Sequence, residues 1–148
     1  MTTAEVATQK PMVLGPNEGT LVNLFGNPLL VRVPSEATDN KFWLAEYTIS
    51  PGFDGPPPHV HNRTHEVFYV LEGELGMLVG DKELVLSAGG LAMVTPNTRH
   101  TFYNKGSAPC RFLGLTTPGD LGAYLLSRRA SFITGTAINL DGGQSPVP

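Results

Sequence analysis

The sequence predicts an all-β protein, a sandwich or barrel of about nine or ten short strands. Glycine (17) and proline (13) recur between short apolar runs, so turns interrupt the chain at regular intervals. Within several runs the apolar residues return at every second position, which is the period of a strand. One stretch alone, Asp120 to Ser131, has a helical pattern, and that excludes an alternating β/α architecture.

The elements follow in order. Residues 1–19 are polar and weakly patterned, and a loose arm is expected there. Leu21 to Phe25 and Leu29 to Val33 fit two strands with a turn at Gly26-Asn27-Pro28. After a loop from Pro34 to Asn40, Phe42 to Ile49 forms a strand with Trp43, Ala45, Tyr47 and Ile49 on one face. Pro51 to Pro58 cannot be helix, and its prolines cannot pair in mid-sheet, so a stiff extended segment is expected. Glu66 to Leu71 is the clearest strand. Leu75 to Val79 and Glu83 to Leu86 flank a hairpin turn around Gly80-Asp81-Lys82. Further strands are expected at Leu91 to Val94, His100 to Asn104 and Cys110 to Thr116. Asp120 caps the helix, with Leu121, Tyr124, Leu125 and Leu126 as a partial apolar stripe. Phe132 to Leu140 resembles one more strand before a polar tail. The expected organisation is an arm at 1–19, a barrel at 20–118, and a helix and strand-like tail at 119–148.

Composition narrows the functional classes. A chain of 148 residues, 41% hydrophobic and 16% charged, suits one globular domain with a core that needs no disulfide. A net charge of −3 gives no electrostatic reason to expect nucleic acid or an anionic membrane. The single cysteine, Cys110, favours a reducing compartment. The first residues lack the basic and apolar blocks of a signal peptide, and no apolar run approaches the ~20 residues of a membrane span. A cytoplasmic protein is expected.

The chemistry concentrates in Pro56 to Val70. Three of the four histidines (His59, His61 and His65) and Glu66 fall close together there, and imidazole with carboxylate is the common donor set for a divalent transition metal. His59 and His61 stand two apart and share a side of an extended chain. Glu66 lies at an odd offset from His61, so the polar break Asn62-Arg63-Thr64 must bend the chain if Glu66 is to face the same way. Alternation alone leaves the swap open, with His65 inward and Glu66 outward. On a later strand Thr98, His100, Phe102 and Asn104 share a face, and a barrel would bring His100 opposite the first pair. Such a set leaves a coordination position free, as catalytic sites require. An inward Glu66 without a cation would be a costly buried charge.

The pattern Gly55-Pro56-Pro57-Pro58-His59-Val60-His61, then Glu66 and Gly73, resembles the first motif of the cupin family. Gly89, Thr95-Pro96-Asn97-Thr98-Arg99-His100 and Asn104 resemble the second. The resemblance covers roughly residues 40–117. It departs at Phe53, Thr95 and Asn97, where the family has glycine, proline and glycine; asparagine tolerates the left-handed backbone that glycine would supply. The resemblance implies a double-stranded β-helix, or jelly-roll, barrel. It also implies one metal held by His59, His61, Glu66 and His100, with Glu66 rather than His65 facing inward. Iron, manganese, nickel, cobalt and zinc all accept such ligands. A homodimer is expected on the same ground.

The candidate inner wall is apolar: Phe68, Val70, Met77, Met93 and Phe102, with Tyr47 or Trp43. It suits a flat or hydrophobic small molecule, and Phe68, Met77, Met93, Phe102 and Tyr47 are the expected substrate-binding residues. The run His59 to Gly73 is similar to small bacterial cupins related to quercetin dioxygenase. That similarity implies an enolate or phenolate substrate attacked by dioxygen, with Glu66 as ligand and catalytic base. A metal-dependent isomerase, lyase or cyclase and a non-catalytic binding barrel are the alternatives.

The tail from Ala130 to Gly143, with Thr134-Gly135 and Asp141-Gly142-Gly143, resembles the closing segment of short-chain dehydrogenases. The rest of that family's apparatus is missing: no glycine-rich opening is present, and Tyr124 is followed at the expected offset by Arg128 instead of lysine. No nicotinamide cofactor (NAD) is therefore expected. The apolar positions Ile133, Ala137, Ile138 and Leu140 are expected to pack on the barrel or on a partner subunit.

Overall fold

The computed structural model describes residues 9–126 of the chain. Within them the strands are β1 (Thr20–Leu24), β2 (Asn27–Val33), β3 (Trp43–Ile49), β4 (His65–Glu72), β5 (Glu74–Val79), β6 (Lys82–Ser87), β7 (Leu91–Val94), β8 (His100–Tyr103) and β9 (Cys110–Thr117). A short 3-10 turn, Ser35–Thr38, precedes β3, and a helix, α1 (Asp120–Leu126), follows β9. The expected helix begins at Asp120, but the carbonyl of Gly119 accepts its first backbone bonds. The Asp120 carboxylate bonds Asn40 and Arg63 and not the helix amides. The continuation of the helix to Ser131, the strand at 132–140 and the packing of the tail lie outside the described residues.

All strand pairs are antiparallel. One sheet has six strands in the order β1-β2-β3-β9-β4-β7, and the other has three in the order β6-β5-β8. The two inner faces meet in a core of Leu29, Val31, Trp43, Ala45, Tyr47, Ile49, Phe68, Val70, Leu75, Met77, Phe102 and Phe112. This is the jelly roll that the sequence resemblance implies. Trp43, Ala45, Tyr47 and Ile49 are all buried on one face of β3, as period-two reading predicts.

The first turn falls one residue earlier than the sequence suggests. Leu24 pairs with Asn27 and Asn23 with Pro28, so the loop is Phe25-Gly26, both with positive φ (51° and 81°). That is the backbone twist a two-residue hairpin prefers. Asn27 is buried because its side chain accepts from the Ser50 amide at 2.9 Å and donates to Phe25 O.

The proline-rich segment between β3 and β4 is extended, and it docks on the free edge of β8. Phe53 bridges Asn104 and His59 bridges His100, with the His59 and His100 amides each donating to the other's carbonyl at 3.0 and 2.9 Å. The prolines between them cannot donate, so the ladder is confined to those bridges.

Cys110 is buried at the start of β9, and burial pushes its thiol up to about 11. The thiolate is the reactive form, so native protein should react with a thiol reagent at pH 8 more than about tenfold slower than denatured protein. Equal rates would contradict this placement.

Candidate metal centre

Three elements assemble the site. The extended segment brings in His59 and His61, the start of β4 brings Glu66, and the start of β8 brings His100. The break at residues 62–64 turns the chain between His61 and β4, and Thr64 is buried in the bend. That turn resolves the parity of β4: Glu66, Phe68 and Val70 face the interior, while His65 is exposed. His59, His61 and His100 are buried. Asn97 caps the approach to β8 in the left-handed conformation (φ 63°) expected of it, and its amide donates to His61 O at 2.7 Å.

One ligand atom from each of His59, His61, Glu66 and His100 lies within 4.8 Å of all the others. Glu66 Oε2 accepts from His61 Nε2 at 3.1 Å and from His100 Nε2 at 2.9 Å. The far nitrogens of two rings are fixed by backbone carbonyls: His59 Nδ1 donates to Pro57 O at 2.9 Å and His100 Nδ1 to Thr98 O at 2.8 Å. Holding Nδ1 on a carbonyl orients the ring and leaves Nε2 for a metal, which is the usual outer-shell arrangement of a ligating histidine.

The electrostatics fit a cation. Burial alone would raise the Glu66 carboxyl, but the hydrogen bonds from His100 and His61 outweigh it and hold the group well below the usual carboxylate range. Burial, reinforced by the neighbouring His100, pushes His59 down to about 4, so at neutral pH its ring is uncharged and offers a lone pair. His100 moves the other way: burial opposes its charge, yet the Glu66 hydrogen bond wins and raises it. Three imidazoles and one carboxylate with converging atoms suit one divalent transition ion. The donor set fits the group.

The residues expected to contact substrate divide. Phe68 and Phe102 follow Glu66 and His100 by two residues on the inner faces of β4 and β8. Their rings are 5.7 Å apart, and Phe68 is 6.5 Å from His100. Met77 pairs with Phe102 on the same inner face and is fully buried. Tyr47 is interior but lies further along β3 than Trp43 and Ala45, and its hydroxyl donates to Leu24 O at 2.5 Å. It also packs edge-on against Phe53, Phe102 and Phe112 within the core. Met93 does not line the wall: it is 57% exposed. β4 and β7 pair Glu66 with Val94 and Phe68 with Ala92, which puts Val94 and Ala92 inward and Met93, opposite Val67, outward.

Sequence reasoning missed Thr116, which is buried directly across the ladder from Glu66 on one side and Trp43 on the other. Its shared parity with Phe112 on β9 was the available signal. α1 also adjoins the site. Asp120 bonds Arg63 from the loop between His61 and β4, and Asn40 from the loop before β3. Arg63 is thus tied to the helix while its side chain stays 64% exposed.

Fold and site together define a metal-binding jelly-roll barrel. Residues 45–116, just under half of the chain, match the cupin domain, and the fold is that of a small single-domain cupin. No curated protein sequence matches significantly. Among solved structures the chain is similar to a protein of Thermus thermophilus (29% identity, 53% of this chain and 74% of that one, TM-score 0.50). It is also similar to a predicted oxalate decarboxylase of Thermotoga maritima (23% identity, 72% and 99%, TM-score 0.64). A third is a sugar phosphate isomerase of the cupin superfamily from Silicibacter pomeroyi (21%, 64% and 61%, TM-score 0.54). At these identities the last two attest to the fold alone. No helix among the described residues is long and apolar enough to cross a membrane.

Proposed function

We propose that the protein is a metal-dependent dioxygenase acting on a hydrophobic small molecule with an enol or phenol hydroxyl. The observation that carries this reading is one half-buried carboxylate set among three buried imidazoles, with the Phe68 ring 6.5 Å from His100 and 5.7 Å from Phe102. His59, His61, Glu66 and His100 would hold the metal, which when bound supplies a Lewis acid and a meeting point for substrate and dioxygen. The protein's own share is proton handling and positioning. Glu66 Oε2 takes the substrate hydroxyl proton, and the hydrogen bonds of His61 and His100 to that same oxygen set how readily it does so. Phe68 and Phe102 exclude water beneath the reacting group and favour a flat apolar body.

Protein made without an affinity tag should carry about one transition metal per chain, and His59→Ala should lower metal affinity more than tenfold, since even outer-shell partners are worth about 10–100-fold. On a panel of flavonols and 1,3-diketones the loaded protein should consume one oxygen molecule per substrate lost. Substrate loss without oxygen uptake would favour the second reading, a metal-dependent isomerase, lyase or cyclase, in which the same carboxylate shuttles the proton. The neighbours named as a decarboxylase and an isomerase share the fold, so that chemistry is compatible with it. Protein with no stoichiometric metal, unaffected by His59→Ala, would refute both.

A further inference from the structure

The inner face of β9 carries two features that the metal set leaves unexplained. Cross-strand register places Trp43, Thr116, Glu66 and Val94 in one row on the interior, because residues directly opposite in an antiparallel pair share a face. Thr116 is 1% exposed, and its Oγ1 is buried with no hydrogen-bond partner among the described residues. Buried hydroxyls are nearly always satisfied, and valine would fill the same volume without that cost, so an orphan beside a metal ligand calls for a partner. The other orphan in this row is Trp43 Nε1, at the row's end beneath α1, where a Cβ on Gly122 would fall 2.6 Å from it.

The second feature is one row further in, where Ala45, Gly114, Phe68 and Ala92 stand side by side. Three of the four are the smallest side chains available. A Cβ built on Gly114 would meet only Ala45 O, at 3.9 Å, an ordinary contact distance, so a side chain is not excluded at this position, which pairs with Phe68 across the ladder. By contrast Gly76, on the opposite sheet, is packed hard against the Tyr103 ring, at 2.1 Å from the same hypothetical atom. Gly114 is therefore not small because its surroundings demand it.

We infer that Thr116 and Gly114 form the substrate subsite: Thr116 Oγ1 donates to an ionised oxygen of the bound molecule beside Glu66, and the flat body attached to that oxygen lies against Gly114. The inference rests on the metal reading above and names what it takes, an oxyanion (enolate, phenolate or carboxylate) carried on a planar group. Thr116 sets affinity for the oxyanion, and Gly114 sets the size of what is attached to it.

The test uses the full chain loaded with cobalt(II), whose visible absorption reports anions entering the coordination sphere. Metal content is measured first, so that protein taking up no cobalt is seen to fail the metal reading before any anion is added. Acetate and benzoate are then titrated as a small and a flat probe. Thr116→Val should take up cobalt normally and bind both anions about tenfold more weakly, the effect of a lost hydrogen bond to a charged group, while Thr116→Ser stays close to the parent. Gly114→Val should leave acetate unchanged and weaken benzoate about tenfold. The inference is overturned if Thr116→Val binds acetate as the parent does, if it loads less cobalt, or if Gly114→Val affects both probes equally. Cobalt bands in the parent that respond to neither anion would overturn it as well.

Discussion

Glu66→Gln should leave the fold and most of the metal in place and remove turnover by about 10²–10⁴-fold, the range for loss of a positioned general base. Glutamine keeps the side-chain length and still offers a carbonyl oxygen to His61 and His100, which now meet Glu66 Oε2 at 3.1 and 2.9 Å. What it loses is the charge. The carboxylate is held ionised, against the penalty of its burial, by those two imidazoles. A neutral amide cannot take a substrate proton at all, and it no longer raises His100, whose charge depends on Glu66. The measurement is metal content beside oxygen uptake on the same preparation. Turnover within a few-fold of the parent would show that Glu66 is a ligand only. Loss of metal and turnover together would place its importance in holding the ion instead of in proton transfer.

How far the site was readable from sequence depends on parity. In Trp43 to Ile49 the polar residues Glu46 and Thr48 fall on one face and Trp43, Ala45, Tyr47 and Ile49 on the other, so the inward face of β3 could be assigned at once, and its core residues are buried as expected. Leu91-Ala92-Met93-Val94 contains no polar residue to mark a face. Met93 was expected on the apolar inner wall, but the ladder with β4 turned Ala92 and Val94 inward instead. The offset between His61 and Glu66 was undecidable from alternation for a related reason. It depends on the shape of a three-residue bend whose middle residue, Arg63, is anchored by Asp120, a partner distant in sequence. Thr116 escaped notice because a threonine near a strand end is ordinary, and only the register linking it to Glu66 and Trp43 gives it meaning. Local pattern found the metal ligands, and long-range pairing decided what surrounds them.

Gly55→Ala should destabilise the metal-free protein by about 3 kcal/mol or more and weaken metal binding with it. Gly55 sits at φ 80°, a left-handed conformation that costs an alanine about 1–2 kcal/mol on its own. The steric clash costs more. A Cβ there would lie 1.7 Å from the carbonyl oxygen of Phe102, which is backbone and cannot rotate away, and 3.3 Å from Thr101 Oγ1. The extended segment would have to lift from β8, stretching the bond that Thr101 Oγ1 donates to Pro56 O at 2.5 Å. The mutual amide bonds of His59 and His100 lie on the same seam, so movement there separates two metal ligands carried on different elements. Gly52 provides the control. Its φ is nearly the same, 79°, yet a Cβ would meet nothing within 4 Å, so Gly52→Ala should cost only the backbone strain. Thermal unfolding of the metal-free proteins should place Gly55→Ala roughly 10 °C below the parent and Gly52→Ala less than half as far. A cobalt titration should show weakened binding in the first variant alone. Equal effects of the two substitutions on stability and on metal affinity would mean that the proline-rich segment is not held against β8, and that the two halves of the ligand set are joined by some other contact.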